Sequence, residues 1–274
     1  MFLDENGLAD VARERPDAEI PLDRVGVKGV RLPVRVMDRE RGSQDTIATV
    51  DMMVDLPARY RGTHMSRFVE ILYEYRDNVN YRTMAYILKE MTARFDAARA
   101  HLRIGFPYFL EQAAPVSGER SFLEVRAHFI GDYARRYRFR LGVKVPVANL
   151  CPCSRELAAA GAHNQRGDVY VELESRHIIW IEEVVAWAEE AASAPLYALL
   201  KREDEKALTE AAYAKPRFVE DVVRGVAARL DAEERVLAYR VECTNYESIH
   251  QHDAYAAVQR RKRKDGERDE ERNG

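Results

Sequence analysis

Two hydrophobic periods alternate along the chain, and the switches between them mark its elements. Ala48, Val50, Met52, Val54 and Leu56 alternate with Thr49, Asp51, Met53 and Asp55, the period of a strand with one buried face. Met65, Phe68, Val69, Leu72 and Tyr73 follow at helical spacing, with Thr63 placed to cap the start. A second helix is predicted through Met84, Ile87, Leu88, Met91 and Phe95. Leu123, Val125, Ala127 and Phe129 then predict a strand. Another runs through Tyr137, Phe139, Leu141, Val143, Val145 and Val147. This order predicts an α+β module with an antiparallel sheet.

The second half repeats the order. A strand at Val169, Val171 and Leu173 leads to a helix through Ile178, Ile181, Val184 and Trp187. Pro216 is placed to open another helix, where Phe218, Val222, Val226 and Leu230 stack at steps of four. Leu237, Tyr239, Val241 and Cys243 predict a strand, and a last one is expected near Ala254 to Val258. The repetition is of order, without residue identity, and suggests a duplicated ββααββ unit. Residues 1–19 are polar and aperiodic and read as a flexible lead. Residues 20–260 read as one unit of two modules, about 20–150 and 151–260. Residues 261–274 read as a charged, disordered tail.

Composition changes this picture only by exclusion. At 274 residues, 46% apolar and 32% charged, the chain has the balance of a soluble globular protein. A net charge of -3 argues against a partner held by phosphate neutralisation, so no nucleic acid is expected. No apolar run approaches the roughly 18 residues of a membrane span. The first residues carry acids where a signal peptide carries bases, which points to the cytoplasm and reduced thiols.

The chemistry gathers in one segment. Cys151-Pro-Cys153-Ser-Arg-Glu-Leu is followed by Gly161-Ala-His163-Asn-Gln-Arg166-Gly, in a chain with three cysteines. Thiolate and neutral imidazole suit a borderline-soft divalent ion, with carboxylates completing the shell. Such a mixed shell, open at one position, belongs to a catalytic metal and to metal-assisted hydrolysis. The plain alternative is two cysteines packed as small hydrophobes. In an extended chain, residues two apart share a face, so both thiols can reach one ion. A mixed site uses one thiolate and leaves the other for substrate or packing.

A second cluster is Asn245-Tyr-Glu247-Ser-Ile-His250-Gln-His252-Asp253. Two histidines two apart in an extended segment make a pair able to ligate or to move protons, against the alternative of a polar turn. Glu205 and Glu220 read only as an acid on a solvated face and a first-turn carboxylate. His64, Ser66 and Arg67 at a helix start form an anion site or an ordinary capped helix. No phosphate-binding glycine loop, His-Glu-x-x-His pair or Gly-x-Ser-x-Gly elbow is present.

Taken together, Gly62-Thr-His-Met-Ser-Arg-Phe-Val-Glu70, Leu150-Cys-Pro-Cys-Ser154, Gly161-Ala-His-Asn-Gln-Arg166 and Glu247-Ser-Ile-His-Gln-His252 resemble the type IB GTP cyclohydrolase I family. The likeness runs from about Val25 to about Val258. It implies the tunnelling fold, with two ββααββ modules, antiparallel sheets and helices on one face. It implies a homotetramer with active sites between subunits, and conversion of GTP and water to 7,8-dihydroneopterin triphosphate and formate, the entry to folate and queuosine. It implies one divalent metal per subunit and no organic cofactor. The ligands so implied are Cys151, His163, Glu205 and Glu247, with the choice between Cys151 and Cys153 open. Glu220 is implied as the guanine anchor, His250 and His252 as the proton-transfer pair, with Cys151 and Cys153 beside them. His64, Arg67 and Arg166 are candidates for the triphosphate. Sulfur argues for zinc, and two carboxylates for manganese or ferrous iron. Two rival readings are an archaeal-type iron cyclohydrolase that gives a cyclic phosphate, and a non-catalytic zinc-binding protein.

Overall fold

The computed structural model describes residues 9–262. The first strands are β1 (Leu22–Asp38) and β2 (Gly42–Leu56), followed by helices α1 (Met65–Tyr75) and α2 (Tyr81–Phe95). Three strands come next: β3 (Ala100–Ala113), β4 (Arg120–Tyr133) and β5 (Tyr137–Leu150). Then come α3 (Pro152–Leu157), β6 (Asn164–Ser175), α4 (Ile181–Ala191) and the two-residue β7 (Ala194–Pro195). The chain closes with α5 (Arg202–Ala214), α6 (Val219–Ala232), β8 (Val236–Asn245) and β9 (Ala254–Arg261). Strand pairing follows the order β1-β2-β3-β4-β5-β6-β8-β9, with β7 on β5. With α3, β7 and α5 set aside, the order is ββααββ twice, and β5 opens the second set.

The chain forms two compact units. The first runs to Phe109 and takes in Arg126–Gly142; the second holds Leu110–Val125 and the chain from Val143 on. Strands β3, β4 and β5 therefore pass through both, so no single cut at residue 150 separates the units.

In the first unit, β2 alternates buried Val50, Met52 and Val54 with more exposed neighbours, and β3 contributes Leu102, Ile104 and Phe106 to the same core. Helices α1 and α2 bury Phe68, Ile71, Leu72, Met84, Ile87, Leu88 and Met91. A methyl built on Gly131 of β4 lands 2.7 Å from Leu88, so α2 lies directly over the strands. Asn80 caps α2 by accepting from the amides of Arg82 and Thr83, while the Thr83 hydroxyl accepts from the Asn80 amide. Between Val27 and Val30 the β1–β2 register shifts at Gly29, whose φ of 73° favours glycine.

In the second unit, α4 and α6 bury Val184, Val185, Ala188, Val222, Val226 and Leu230, and β6 and β8 bury Val169, Val171, Leu173, Val241 and Cys243. The start of α5 is fixed by Asp204, fully buried, which accepts from the amides of Val116, Ser117 and Lys201 and from the Ser117 hydroxyl. Burial pushes that carboxyl up, but these four donors outweigh it and hold it well below the usual carboxylate range.

Several local expectations change. Thr63 does not cap α1: His64 occupies the cap position and offers no side-chain bond. Pro216 precedes the cap of α6, Phe218, by two residues, and Ile178 lies outside α4. In the segment read as a lead, Val11–Arg13 forms a 3-10 turn, Asp10 is buried, and the carbonyls of Ala12 and Glu14 accept from the amides of Gly62 and Arg61. Of the segment read as a tail, Arg261 ends β9 and Lys262 donates its amide to Leu237; residues 263–274 lie outside the described residues.

Candidate active site

Three strand ends meet in the second unit: β5 ends at Leu150, β6 begins at Asn164 and β8 ends at Asn245. The first residue past β5 is Cys151, which caps α3. The intervening loop closes on itself, because the Cys151 amide donates to the His163 carbonyl at 3.1 Å. The Ser154 hydroxyl accepts the His163 amide at 3.2 Å, and the Ser154 amide donates to Cys151 Sγ at 3.4 Å. Cys151 and His163 are thereby neighbours by backbone pairing alone.

Glu247 joins them through a side chain. His163 Nδ1 lies 3.0 Å from Gln165 Oε1, and Gln165 Nε2 lies 3.5 Å from Glu247 Oε1. The Ser248 hydroxyl is 3.3 Å from the same Nδ1. The other Glu247 oxygen, Oε2, is buried without a hydrogen-bond partner among the described residues. A buried carboxylate oxygen left unpaired is costly and points to a ligand.

Beneath this cluster lies a buried polar bridge. Asn149 Nδ2 donates to Asn245 Oδ1 at 2.8 Å, although β5 and β8 are separated by β6. The bond crosses at Gly167, the residue of β6 paired with Asn245. A methyl there would stand 2.5 Å from Asn245 Oδ1 and 2.6 Å from the Thr244 carbonyl. Asn149 also accepts the Ser193 amide, and the Ser193 hydroxyl accepts the Leu150 amide. The last residues before Cys151 and Glu247 are thus locked together.

The other expected residues of the second unit are exposed. Cys153 is exposed on α3, so the extended backbone that would aim both thiols one way is absent. Glu205 is exposed in the first turn of α5, and no group of three or more His, Cys, Asp or Glu side chains among the described residues is close enough to hold an ion. Glu220 is exposed in the first turn of α6, a helix whose approach is tied to β5 by the Arg217 amide on the Leu150 carbonyl. Burial pushes the Cys243 thiol up to about 12, with the carboxylates of Asp168 and Glu220 adding to it. That cysteine is a packed hydrophobe. His250 and His252 are exposed, with rings stacked at 5.3 Å. Arg166 is exposed on β6, and its carbonyl accepts the Tyr246 amide.

His64 and Arg67 belong to the first unit. They line a cleft of about 60 Å³ with Arg13, Tyr60, Arg94 and Asp96. His64 Nε2 lies 3.0 Å from buried Asp10, and Arg67 reaches the Arg94 carbonyl at 3.5 Å.

Sequence reasoning missed Gln165, Asn149 and Asn245. Each is a polar residue at an inward position of its strand, in phase with Val169, Val147 and Val241. That break in alternation was the available signal.

The fold is the tunnelling fold. Two solved structures of urate oxidase from Bacillus sp. TB-90 superpose with TM-scores of 0.55 and 0.54, each at 9% identity and covering 88% of this chain and 100% of theirs. At that identity the likeness is one of fold. Family comes from sequence: the type I GTP cyclohydrolase folE2 family matches residues 8–256. A GTP cyclohydrolase FolE2 of Syntrophotalea carbinolica is 52% identical over 252 residues, spanning 92% of this chain and 95% of that protein. One of Methylococcus capsulatus is 50% identical over 264 residues, spanning 95% and 98%. The chain belongs to the type I GTP cyclohydrolase FolE2 family; the subtype IB of the motif reading is a finer label than that match carries. Among the described residues, no helix is long and apolar enough to cross a membrane.

Proposed function

We propose that the chain is a metal-dependent GTP cyclohydrolase I of the IB subtype, converting GTP and water to 7,8-dihydroneopterin triphosphate and formate at the entry to folate and queuosine. Family membership supports the substrate and reaction class. The observation that carries the metal is the unpartnered, buried Glu247 oxygen on a carboxylate joined through Gln165 to His163, the backbone neighbour of Cys151.

In this reading Cys151, His163 and Glu247 would be drawn together around one divalent ion from their present neighbouring positions, with Glu205 as the fourth ligand. Zinc, manganese and ferrous iron are all compatible with that donor set. When bound, the ion supplies Lewis acidity that makes water nucleophilic near neutral pH. Water adds to C8 of guanine, the imidazole ring opens, and a second hydrolysis releases formate. Glu220 accepts from the ring and exocyclic N–H groups of guanine, which fixes the base. The stacked pair of His250 and His252 gives a proton to the departing ring nitrogen and takes one from the attacking water. The same pair serves the ribose rearrangement that precedes closure of the pyrazine ring. His64, Arg67 and Arg166 supply charge to the triphosphate. A homotetramer with shared active sites belongs to this reading, and the exposure of Glu205, Glu220, His250 and His252 leaves them open to a second subunit. The cytoplasm, where thiols stay reduced, is its setting.

The test is a GTP assay on chelator-stripped protein refilled with each metal, following formate and the fluorescence of the oxidised pterin. Metal-restored formate with a neopterin triphosphate product is expected, as is its loss by more than about 100-fold in a His250→Ala, His252→Ala double variant that still binds metal. A cyclic phosphate product, or folded protein silent with every metal, would overturn the assignment.

A further inference from the structure

We propose that Gln165 is a positioning residue that fixes the tautomer of His163 and so aims its Nε2 lone pair at the metal. The inference rests on the metal-site reading above and deepens it. Gln165 is buried on the inward face of β6, between His163 and Glu247.

The argument is one of hydrogen-bond polarity. An ionised carboxylate only accepts, so the Gln165 amide must turn its NH₂ toward Glu247, 3.5 Å away. The reverse orientation would set a carbonyl oxygen against a carboxylate oxygen. With NH₂ committed, Oε1 is the atom that faces His163 Nδ1 at 3.0 Å. A carbonyl oxygen also only accepts, so Nδ1 must carry the proton. In a neutral imidazole the other nitrogen is then a bare acceptor. One carboxylate therefore sets an amide, and the amide sets an imidazole. Ser248 Oγ, 3.3 Å from Nδ1, imposes no such choice, because a hydroxyl rotates to donate or to accept.

Backbone geometry makes Gln165 suited to this. His163 and Gln165 flank Asn164, the first residue of β6, and Gly167 two residues further along the inward face keeps the Asn149–Asn245 bridge close below. The two ends of the amide face His163 and Glu247. Partners that orient a metal-bound imidazole commonly matter 10- to 100-fold in affinity.

The experiment uses the full chain and two readouts. Two-dimensional ¹⁵N–¹H spectra of metal-free protein report the tautomer of each neutral histidine, and chelator competition gives the zinc and manganese affinities. In the natural chain His163 should be the Nδ1–H form. Gln165→Met removes the acceptor and should give a mixture of tautomers with about 10- to 100-fold weaker metal. Glu247→Gln removes the carboxylate that turns the amide while keeping Gln165 in place, and should likewise give a mixture of tautomers; it also covers the case in which the methionine variant fails to fold. Ser248→Ala should leave the tautomer unchanged. A Gln165→Met protein with the natural tautomer and natural affinity would sink the inference, as would a shift produced by Ser248→Ala or an unchanged tautomer in Glu247→Gln. If the natural chain takes up no metal, the proposed function falls instead, while the tautomer spectra still judge Gln165.

Discussion

Gly167 is where one missing side chain does the most for the site. Its inward face is crossed by the Asn149–Asn245 bond, and a methyl group would meet Asn245 Oδ1 at 2.5 Å and the Thr244 carbonyl at 2.6 Å. The side chain can rotate away, but the paired backbone cannot, so relief requires a shift in the β6–β8 ladder. Gly167→Ala is expected to cost on the order of 1–3 kcal/mol, seen as a fall of several degrees in Tm by calorimetry. An unchanged Tm would mean that the ladder yields more readily than the register implies. At this scale the sequence was half legible. Cys151 and His163 announce themselves by residue type, and a backbone hydrogen bond makes them neighbours; Glu247 enters the set only through the family resemblance. Gln165 and the two asparagines carry no chemical signature, and only their inward phase betrays them. In sequence Glu205 looks like an acid on a solvated face and Glu220 like a first-turn carboxylate, and the described chain leaves both exposed.

Elements in the second unit are joined by small ionic nodes that no local pattern announces. Arg235, between α6 and β8, donates to Glu233 at 2.8 Å and to Glu183 of α4 at 2.7 Å, and also reaches the Ile178 carbonyl. It ties the end of one helix to the beginning of another. The Arg235 guanidinium holds the Glu233 carboxyl down at about 2, against an ordinary 4.5. A carboxyl depressed in the folded state stabilises the fold above its ordinary value, and that contribution is lost as pH falls from about 4.5 to about 2. Glu233→Gln is therefore expected to lower Tm by a few degrees at neutral pH, with the gap to the natural chain closing across that acid window. A gap that stays constant with pH, in parallel melts, would show that the carboxylate's charge is not what stabilises this corner. Helices α1, α2, α4 and α6 were legible, because their buried faces keep a 3.6-residue period; α5, which buries only Asp204 and Ala212, was not. Strand β1 was not, because the register shift at Gly29 changes the phase of its alternation midway. Strand β3 carries Gly105 and Pro107, residues that argue against a strand when read locally. Its neighbours override them, and Thr46 donates to the Pro107 carbonyl at 2.8 Å.

Across the whole molecule, the proposed catalytic groups divide between the two compact units. Arg67 belongs to the first, with His64 and the arginine-lined cleft, and Glu220 belongs to the second, with the cysteine and histidine cluster. The duplicated order of elements was legible because each set repeats the same change of period. The proposed homotetramer with shared sites makes a quantitative claim that needs no structure of the complex. Arg67→Ala and Glu220→Gln should each abolish turnover, the first by loosening the triphosphate and the second by freeing the guanine. When the two inactive proteins are unfolded together and reassembled, a site built from two subunits draws Arg67 from one and Glu220 from the other. Random closed assembly then restores about a quarter of the sites to the natural pair. If one subunit supplies both groups, every site in the mixture keeps one defect and no activity returns. Formate release from the mixture, measured against the separately reassembled parents, distinguishes the two arrangements, and a mixture as silent as its parents would remove shared sites from the proposal while leaving the metal chemistry standing.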